Sequence, residues 1–276
     1  MFFSAARTTA SRLATRVACV SSASIATTAP PSSTMMTAVR TMTSTGSSQG
    51  KKVAIVLAGC GVYDGSETTE VVSAMIHLSR AGTKVSAFAP DKEQMHVVNH
   101  LTGDAEEGQT RNVLTESARI ARGNIKALDE CDADDFDALV IPGGFGAAKN
   151  LSTFATQGAD MTVDPILEEI MVKFHKEGKP IGLCCIAPTI AAKVFGKTTG
   201  CTLTVGHEEE SEMYPFAGAA GAIKGMGAHH QICEPSEGCI DEENKIVTSS
   251  GYMYAGQPHE VDDSVRAMVE GVLSLA

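Results

Sequence analysis

A parallel α/β sandwich is the fold class this sequence predicts, on three observations. Short, continuously apolar runs such as Val53-Ala-Ile-Val-Leu-Ala58 read as strands covered on both faces, because a strand with one wet face would alternate. Stretches with helical apolar spacing alternate with these runs, which is the pattern of strand-helix-strand crossovers. Glycine-rich turns follow the strands, at Gly59 to Gly65 and at Pro142-Gly-Gly-Phe-Gly146, where an open sheet of this class places its ligands.

The elements follow in order. Residues 41–50 read as a Ser/Thr/Gly linker, and order is expected from Lys51. After the first strand, Ser66 is the expected N-cap of a helix burying Val71, Val72, Met75, Ile76 and Ser79 and ending at Ala81-Gly82. Lys84 to Ala89 is the second strand. The stretch from Pro90 to Gly108 reads as irregular, and a helix is expected around Val113 to Arg122. Phe136 to Ile141 is the third strand. Asp164-Pro165 opens a helix with Ile166, Leu167, Ile170 and Phe174 on one face and Gly178 as its stop. Further strands are expected from Pro180, at Thr202 to Val205 and at Ile246 to Thr248, with a closing helix over Val261 to Leu275. Residues 206–228, acidic and then rich in Gly and Ala, carry no assignment.

The strand from Pro180 stops at Cys184-Cys185, before Ala187-Pro188 opens a helical pattern through Ile190, Ala191, Val194 and Phe195, with Gly196 at its far end. A thiol on that turn faces unpaired amides and the positive end of a helix, which are expected to lower its pKa and hold the thiolate. This is the arrangement of a nucleophile elbow with cysteine in the serine's place. Spacing does not choose between the two cysteines. Gly182 precedes Cys184 by two positions and Ala187 follows Cys185 by two, so each has one small neighbour of the kind a sharp turn needs.

Composition narrows the function classes. The first acidic residue is Asp64; before it come Arg7, Arg12, Arg16 and Arg40 among many Ser, Thr and Ala, the composition of a mitochondrial transit peptide. Residues 51–276 then read as a single α/β domain. Without residues 1–50 the net charge moves from −11 to about −15, which repels phosphate backbones and anionic lipid and excludes nucleic acid as an expected partner. Apolar runs fall short of a membrane span, so no membrane partner is expected. The cysteines show no regular disulfide spacing, which suits free thiols in a reducing matrix. Gly59-x-Gly61-x-x-x-Gly65 misses the dinucleotide spacing, and His229, His230 and Cys233 lack a metal-ligand spacing, so neither cofactor nor metal is expected.

Longer runs carry a resemblance. Gly-Cys-Gly-Val-Tyr-Asp-Gly-Ser-Glu at 59–67, Ala-Pro-Asp-Lys at 89–92, Asn-His-Leu-Thr-Gly at 99–103, Thr-Arg-Asn-Val-Leu at 110–114, Pro-Gly-Gly-Phe-Gly-Ala-Ala-Lys-Asn-Leu-Ser at 142–152, Cys-Ile-Ala-Pro at 185–188 and Asn-Lys-Ile-Val-Thr at 244–248 resemble one family. It is the ThiJ/PfpI superfamily of class I glutamine-amidotransferase-like proteins, in its ElbB-like group with mitochondrial relatives. The resemblance spans essentially all of 51–276 and implies a flavodoxin-like sandwich. It also implies that Cys185 is the nucleophile, that Glu70 is the helix-borne glutamate facing it, and that Gly143 and Gly144 offer oxyanion amides, with Ile186 beside them on the oxyanion and substrate-binding side. A homodimer is a further implication. The chain departs from the superfamily's amidotransferases and proteases in carrying Ile186 where they place a histidine directly after the cysteine. His230 is the candidate substitute. With no fused ammonia-accepting domain, glutamine hydrolysis is not expected.

Cys185, Glu70, Gly143 and Gly144, joined to that resemblance, imply a cofactor-independent glyoxalase acting on small carbonyl substrates such as glyoxal and methylglyoxal. The rival expectation is a redox-sensing or protein-maintenance module using the same thiol. A glutamate beside a thiolate must share protons with it, so the pair is expected to titrate jointly.

Overall fold

The computed structural model describes residues 50–276; the expected transit peptide and linker lie, Gly50 apart, outside the described residues. The order is β1 (Lys52–Val56), α1 (Thr68–Arg80), β2 (Lys84–Ala89), α2 (Val113–Ile120), β3 (Ile125–Ala127), β4 (Ala138–Ile141), α3 (Phe145–Lys149) and α4 (Phe154–Gln157). Then follow α5 (Pro165–Lys176), β5 (Ile181–Cys184), α6 (Pro188–Thr199), β6 (Thr202–Leu203), α7 (Gly218–Gly225), β7 (His229–His230), β8 (Gly238–Asp241), β9 (Ile246–Ser249) and α8 (Pro258–Leu275).

Seven strands form one sheet in the order β3-β2-β1-β4-β5-β9-β8, parallel except for the antiparallel edge pair β8-β9. Successive side chains point to opposite faces, so the apolar runs split into two cores. Ala54, Val56, Leu139, Ile141, Ile181 and Leu183 pack with α5, α6 and α7. Val53, Ile55, Ala138 and Val140 pack with α1 and α8. Both faces are covered, which is why the strands read as continuous apolar runs and why the sandwich is flavodoxin-like. Strand order reverses between β1 and β4, and the loops leaving β1, β4, β5 and β9 gather at one end of the sheet, where such folds bind ligands.

Several expectations need correction. The buried face of α1 is Val71, Ala74 and Leu78 with Glu70, Ser73 and His77, while Val72 and Ile76 are about two-fifths exposed and Ser79 faces solvent. Glu70 and His77, polar by type, belong to the packed side, so the apolar stripe alone points the helix wrongly. Glu67, not Ser66, caps α1, accepting from the Glu70 amide at 2.8 Å; Ser66 Oγ instead accepts from the Ala58 amide at 2.8 Å. Helix α6 runs past Gly196 to Thr199. Gly196 sits against a neighbouring turn, where a Cβ would meet Met226 O at 2.6 Å. The strand at Thr202 covers two residues and pairs with β7 outside the main sheet. Beyond it the Thr204 amide donates to Thr248 Oγ1 at 2.8 Å, a side-chain bond in place of a ladder. Strand β3 and helices α3, α4 and α7 were too short or too rich in Gly and Ala to announce themselves. Asp164 does cap α5, accepting from the Ile166 and Leu167 amides with Pro165 in the first turn.

The corrected α1 face gives a direct check. Leu78→Ala is expected to destabilise the protein by roughly 2–5 kcal/mol, whereas Val72→Ala should stay within about 0.5 kcal/mol, as read from urea unfolding.

Candidate active site

Strand β5 ends at Cys184, and the next residue must turn sharply to start α6. Cys185 does so with φ +61°, a left-handed conformation that a side-chain-bearing residue holds at a cost of roughly 1–3 kcal/mol. Two backbone bonds hold the turn, from the Cys185 amide to Ser249 O and from the Ala187 amide to Cys184 O, both 3.1 Å. The turn separates the two thiols. Cys184 is fully buried in the α1/α8 core, whereas Cys185 sits at the sheet end, 7% exposed, with the Gly144 and Ile186 amides facing its sulfur.

Glu70, in the first turn of α1, reaches the same point with no exposed surface. Its Oε1 accepts from the Tyr252 amide at 2.8 Å and its Oε2 from the Gly143 amide at 3.0 Å. Cys184 donates to Oε2 at 3.7 Å, and Glu70 also hydrogen-bonds the Cys185 thiol. Two glycines make this approach possible. A Cβ on Gly143 would overlap Cys185 Cβ and lie 2.9 Å from both Cys185 Sγ and Glu70 Oε2; one on Gly251, at φ +48°, would lie 2.5 Å from Glu70 Oε1.

Burial and then the nearby Glu67 charge push the Glu70 carboxyl up to about 7. The native state therefore holds this proton longer than the unfolded chain does. Stability falls as pH rises from the ordinary carboxyl range towards 7, by on the order of 3 kcal/mol for this group. The thiolate expected at Cys185 is not what these surroundings favour. Burial, followed by the Glu70 charge, pushes the thiol well above its ordinary value, outweighing the Gly144 and Ile186 amides. A helix end contributes only about 0.3–1 kcal/mol, less than the loss of solvent round a thiolate. Above pH 7 the pair therefore rests as carboxylate plus thiol.

A second correction concerns the oxyanion amides. Gly143 N–H is committed to Glu70, so the amides left facing the sulfur are those of Gly144 and Ile186. Among the described residues no group of three or more His, Cys, Asp or Glu side chains is arranged to hold a metal ion.

A strand-borne elbow cysteine, a buried glutamate on α1 and a glycine turn after β4 are thus assembled at one sheet end. The DJ-1/PfpI family model matches residues 51–257. The chain belongs to the DJ-1/PfpI family. It is 52% identical over 225 residues to the human glutamine amidotransferase-like class 1 domain-containing protein 3, mitochondrial, covering 81% of this chain and 83% of that protein. Its identity to the mitochondrial ES1 protein of Danio rerio is 35% over 233 residues, 81% of this chain and 85% of that one. Among solved structures it is similar to an isoprenoid biosynthesis protein with an amidotransferase-like domain from Ehrlichia chaffeensis. That match has a TM-score of 0.74 and 33% identity, covering 82% of this chain and 99% of the other.

In this DJ-1/PfpI domain His230 does not stand in for the histidine that Ile186 replaces. Its ring is committed at both nitrogens: Nε2 accepts from the Val205 amide at 3.1 Å, which places the proton on Nδ1, 3.0 Å from Glu208 Oε1. Burial lowers its pKa, with Glu208 opposing. It joins β7 to the segment after β6 and acts as a structural clasp. What sequence reasoning missed is the turn after β9, where Gly251 gives room for Glu70 and Tyr252 gives it an amide. The run Ser249-Ser250-Gly251 at a strand's carboxyl end was the available signal.

Two outcomes test this geometry. Removing the Glu70 charge in Glu70→Gln should favour the Cys185 thiolate, so the pH profile of Cys185 alkylation by iodoacetamide should move to lower pH; a shift upward would mean that the proton rests on Glu70. His230→Gln should lower stability by roughly 1–3 kcal/mol through the bonds it breaks, yet leave the Cys185 alkylation profile in place.

Proposed function

We propose that this DJ-1/PfpI protein is a cofactor-independent glyoxalase that converts small 2-oxoaldehydes into hydroxy acids. The observation that carries this reading is a carboxylate titrating near neutrality, held by two backbone amides against an elbow thiol. Such a group can take and return protons at physiological pH, which is what an internal rearrangement of an aldehyde requires.

For glyoxal the steps balance as follows. Glu70 takes the Cys185 thiol proton as Sγ bonds to one aldehyde carbon, and the oxygen, facing the Gly144 and Ile186 amides, receives that proton to give a hemithioacetal. Glu70 next removes the hydrogen on that carbon, giving an enediolate, and delivers it to the neighbouring carbon, while the hydroxyl proton of the first carbon passes to the oxygen of the second and the first carbon becomes a carbonyl. The product is a thioester of Cys185 with glycolate. Water cleaves it, releasing glycolate and the thiol, so one glyoxal and one water give one glycolate. No redox partner is needed. A thiol only 7% exposed suits a substrate of a few heavy atoms. Two surface clefts, one bordered by Lys52, Lys84 and Phe136 and the other by Asp129, Asp132 and Lys173, include neither Cys185 nor Glu70.

Residues 1–50 and the mitochondrial relatives together support import into mitochondria, and the matrix, where the free cysteines would stay reduced, is the compartment we assign. The test is NMR of the full chain with glyoxal and with methylglyoxal. Glycolate and lactate should form without added cofactor, Cys185→Ser should reduce turnover to background, and Glu70→Gln should lower kcat at least about 100-fold. Undiminished turnover in Cys185→Ser would overturn the mechanism.

A further inference from the structure

A second thiol centre lies away from the elbow. Cys239 on β8 and Cys233, in the connection after β7, are both almost fully buried, at 1% and 2% exposure. One side-chain amide touches both sulfurs: Gln231 Nε2 donates to Cys233 Sγ at 3.7 Å, and Cys239 donates to Gln231 Oε1 at 3.7 Å. The Cys239 sulfur also lies 3.7 Å from Thr202 O and within hydrogen-bond reach of the Cys233 sulfur, so its single proton has three alternative acceptors, of which the Cys233 thiolate is the charged one. Thr204 adds a hydrogen bond to Cys233 and Thr248 one to Cys239. Five residues separate the cysteines, and the turn from the Glu237 amide to Glu234 O at 2.9 Å brings them back together.

We propose that Cys233 and Cys239 form a dithiol site that a hydroperoxide converts into an intrachain disulfide. The donors converging on Cys233 decide which thiol starts the reaction. A hydrogen bond from Cys239 lowers Cys233 against the effect of burial, with Gln231 Nε2 also donating to its sulfur, whereas burial pushes Cys131 and Cys201 up to about 12. Cys239 is held protonated by donating to Cys233 and by burial. A thiolate beside a thiol is the pairing this chemistry uses.

The Cys233 thiolate attacks one peroxide oxygen, the O–O bond breaks, and the other oxygen leaves as hydroxide, giving a sulfenic acid. Cys239 sulfur then displaces the hydroxyl from Cys233, its proton ending on the leaving oxygen. Two thiols and one hydrogen peroxide give one disulfide and two waters, with two electrons passed to the peroxide. Entry is short, since Ile232 beside Cys233 is 56% exposed and residues 231–237 form no strand or helix. The bond would fasten the β7 connection to β8, the edge strand of the main sheet. This places oxidant sensitivity at Cys233 before Cys185, and it stands or falls independently of the glyoxalase reading.

The experiment titrates the full chain with hydrogen peroxide, blocks remaining thiols without reductant, and maps peptides by mass spectrometry. The expected result is a Cys233–Cys239 link, lighter by two hydrogens and removed by dithiothreitol, forming at lower peroxide than any oxidation of Cys185. In Cys239→Ser the reaction should stop at a Cys233 sulfenic acid trapped by dimedone, and in Cys233→Ser no link should form. Should either variant fail to fold, the wild-type map alone decides. Oxidation of Cys185 with Cys233 and Cys239 still alkylatable would overturn the proposal.

Discussion

One buried carboxylate ties the functional end of the molecule together. Glu70 is held by backbone amides from the turn after β4 and the turn after β9, and it meets the thiols at the end of β5, so a single α1 side chain joins three strand ends. Taking a carboxylate out of water is costly, and two amide bonds offset only part of that cost. The remainder is expressed as a raised pKa. Stability and chemistry are therefore linked at this residue: the loss of solvent that burdens the ionised form also makes Glu70 a base poised near neutrality.

The same reasoning separates the molecule's thiols. Cys185 faces two amides but also an anion and little solvent, so it is kept as a thiol until a neighbour takes its proton. Cys233 is less exposed still, yet a thiol, an amide and a hydroxyl all converge on it, and its thiolate is favoured. Burial alone does not set reactivity. The number of donors aimed at the sulfur, set against burial and the nearby carboxylate, Glu70 at Cys185 and Glu237 at Cys233, decides the direction of the shift.

Much of the sandwich was legible because parallel strands covered on both faces leave unbroken apolar runs, as at Val53 to Ala58, and because caps such as Asp164-Pro165 are local signals. The face of α1 was not legible, since it buries Glu70 and His77 alongside Val71 and Leu78 and leaves Val72 and Ile76 out. The pair Cys185 and Glu70 came from family resemblance, and spacing alone left Cys184 and Cys185 tied. The structure distinguishes the two by a single dihedral angle, the positive φ of Cys185, which no pattern of residue types displays. The roles of Gly143 and His230 were misread for a related reason. Which hydrogen-bond partner an amide or a ring nitrogen takes depends on groups brought in from distant strands.

Ile186, in the position where related enzymes carry histidine, changes what the remaining residues must do. A histidine there would supply a neutral base and, once protonated, a cation to stabilise the thiolate. Isoleucine supplies neither, and it leaves its backbone amide facing the sulfur. In the proposed reaction proton transfer then falls to Glu70, which in water would be too weak a base to abstract a thiol or carbon-bound proton. Burial closes much of that gap by moving the carboxyl to about 7, where a carboxylate is present at physiological pH and its conjugate acid still returns protons readily. The departure at Ile186 and the deep burial of Glu70 are thus complementary, and a solvent-exposed glutamate at position 70 could not serve the same site.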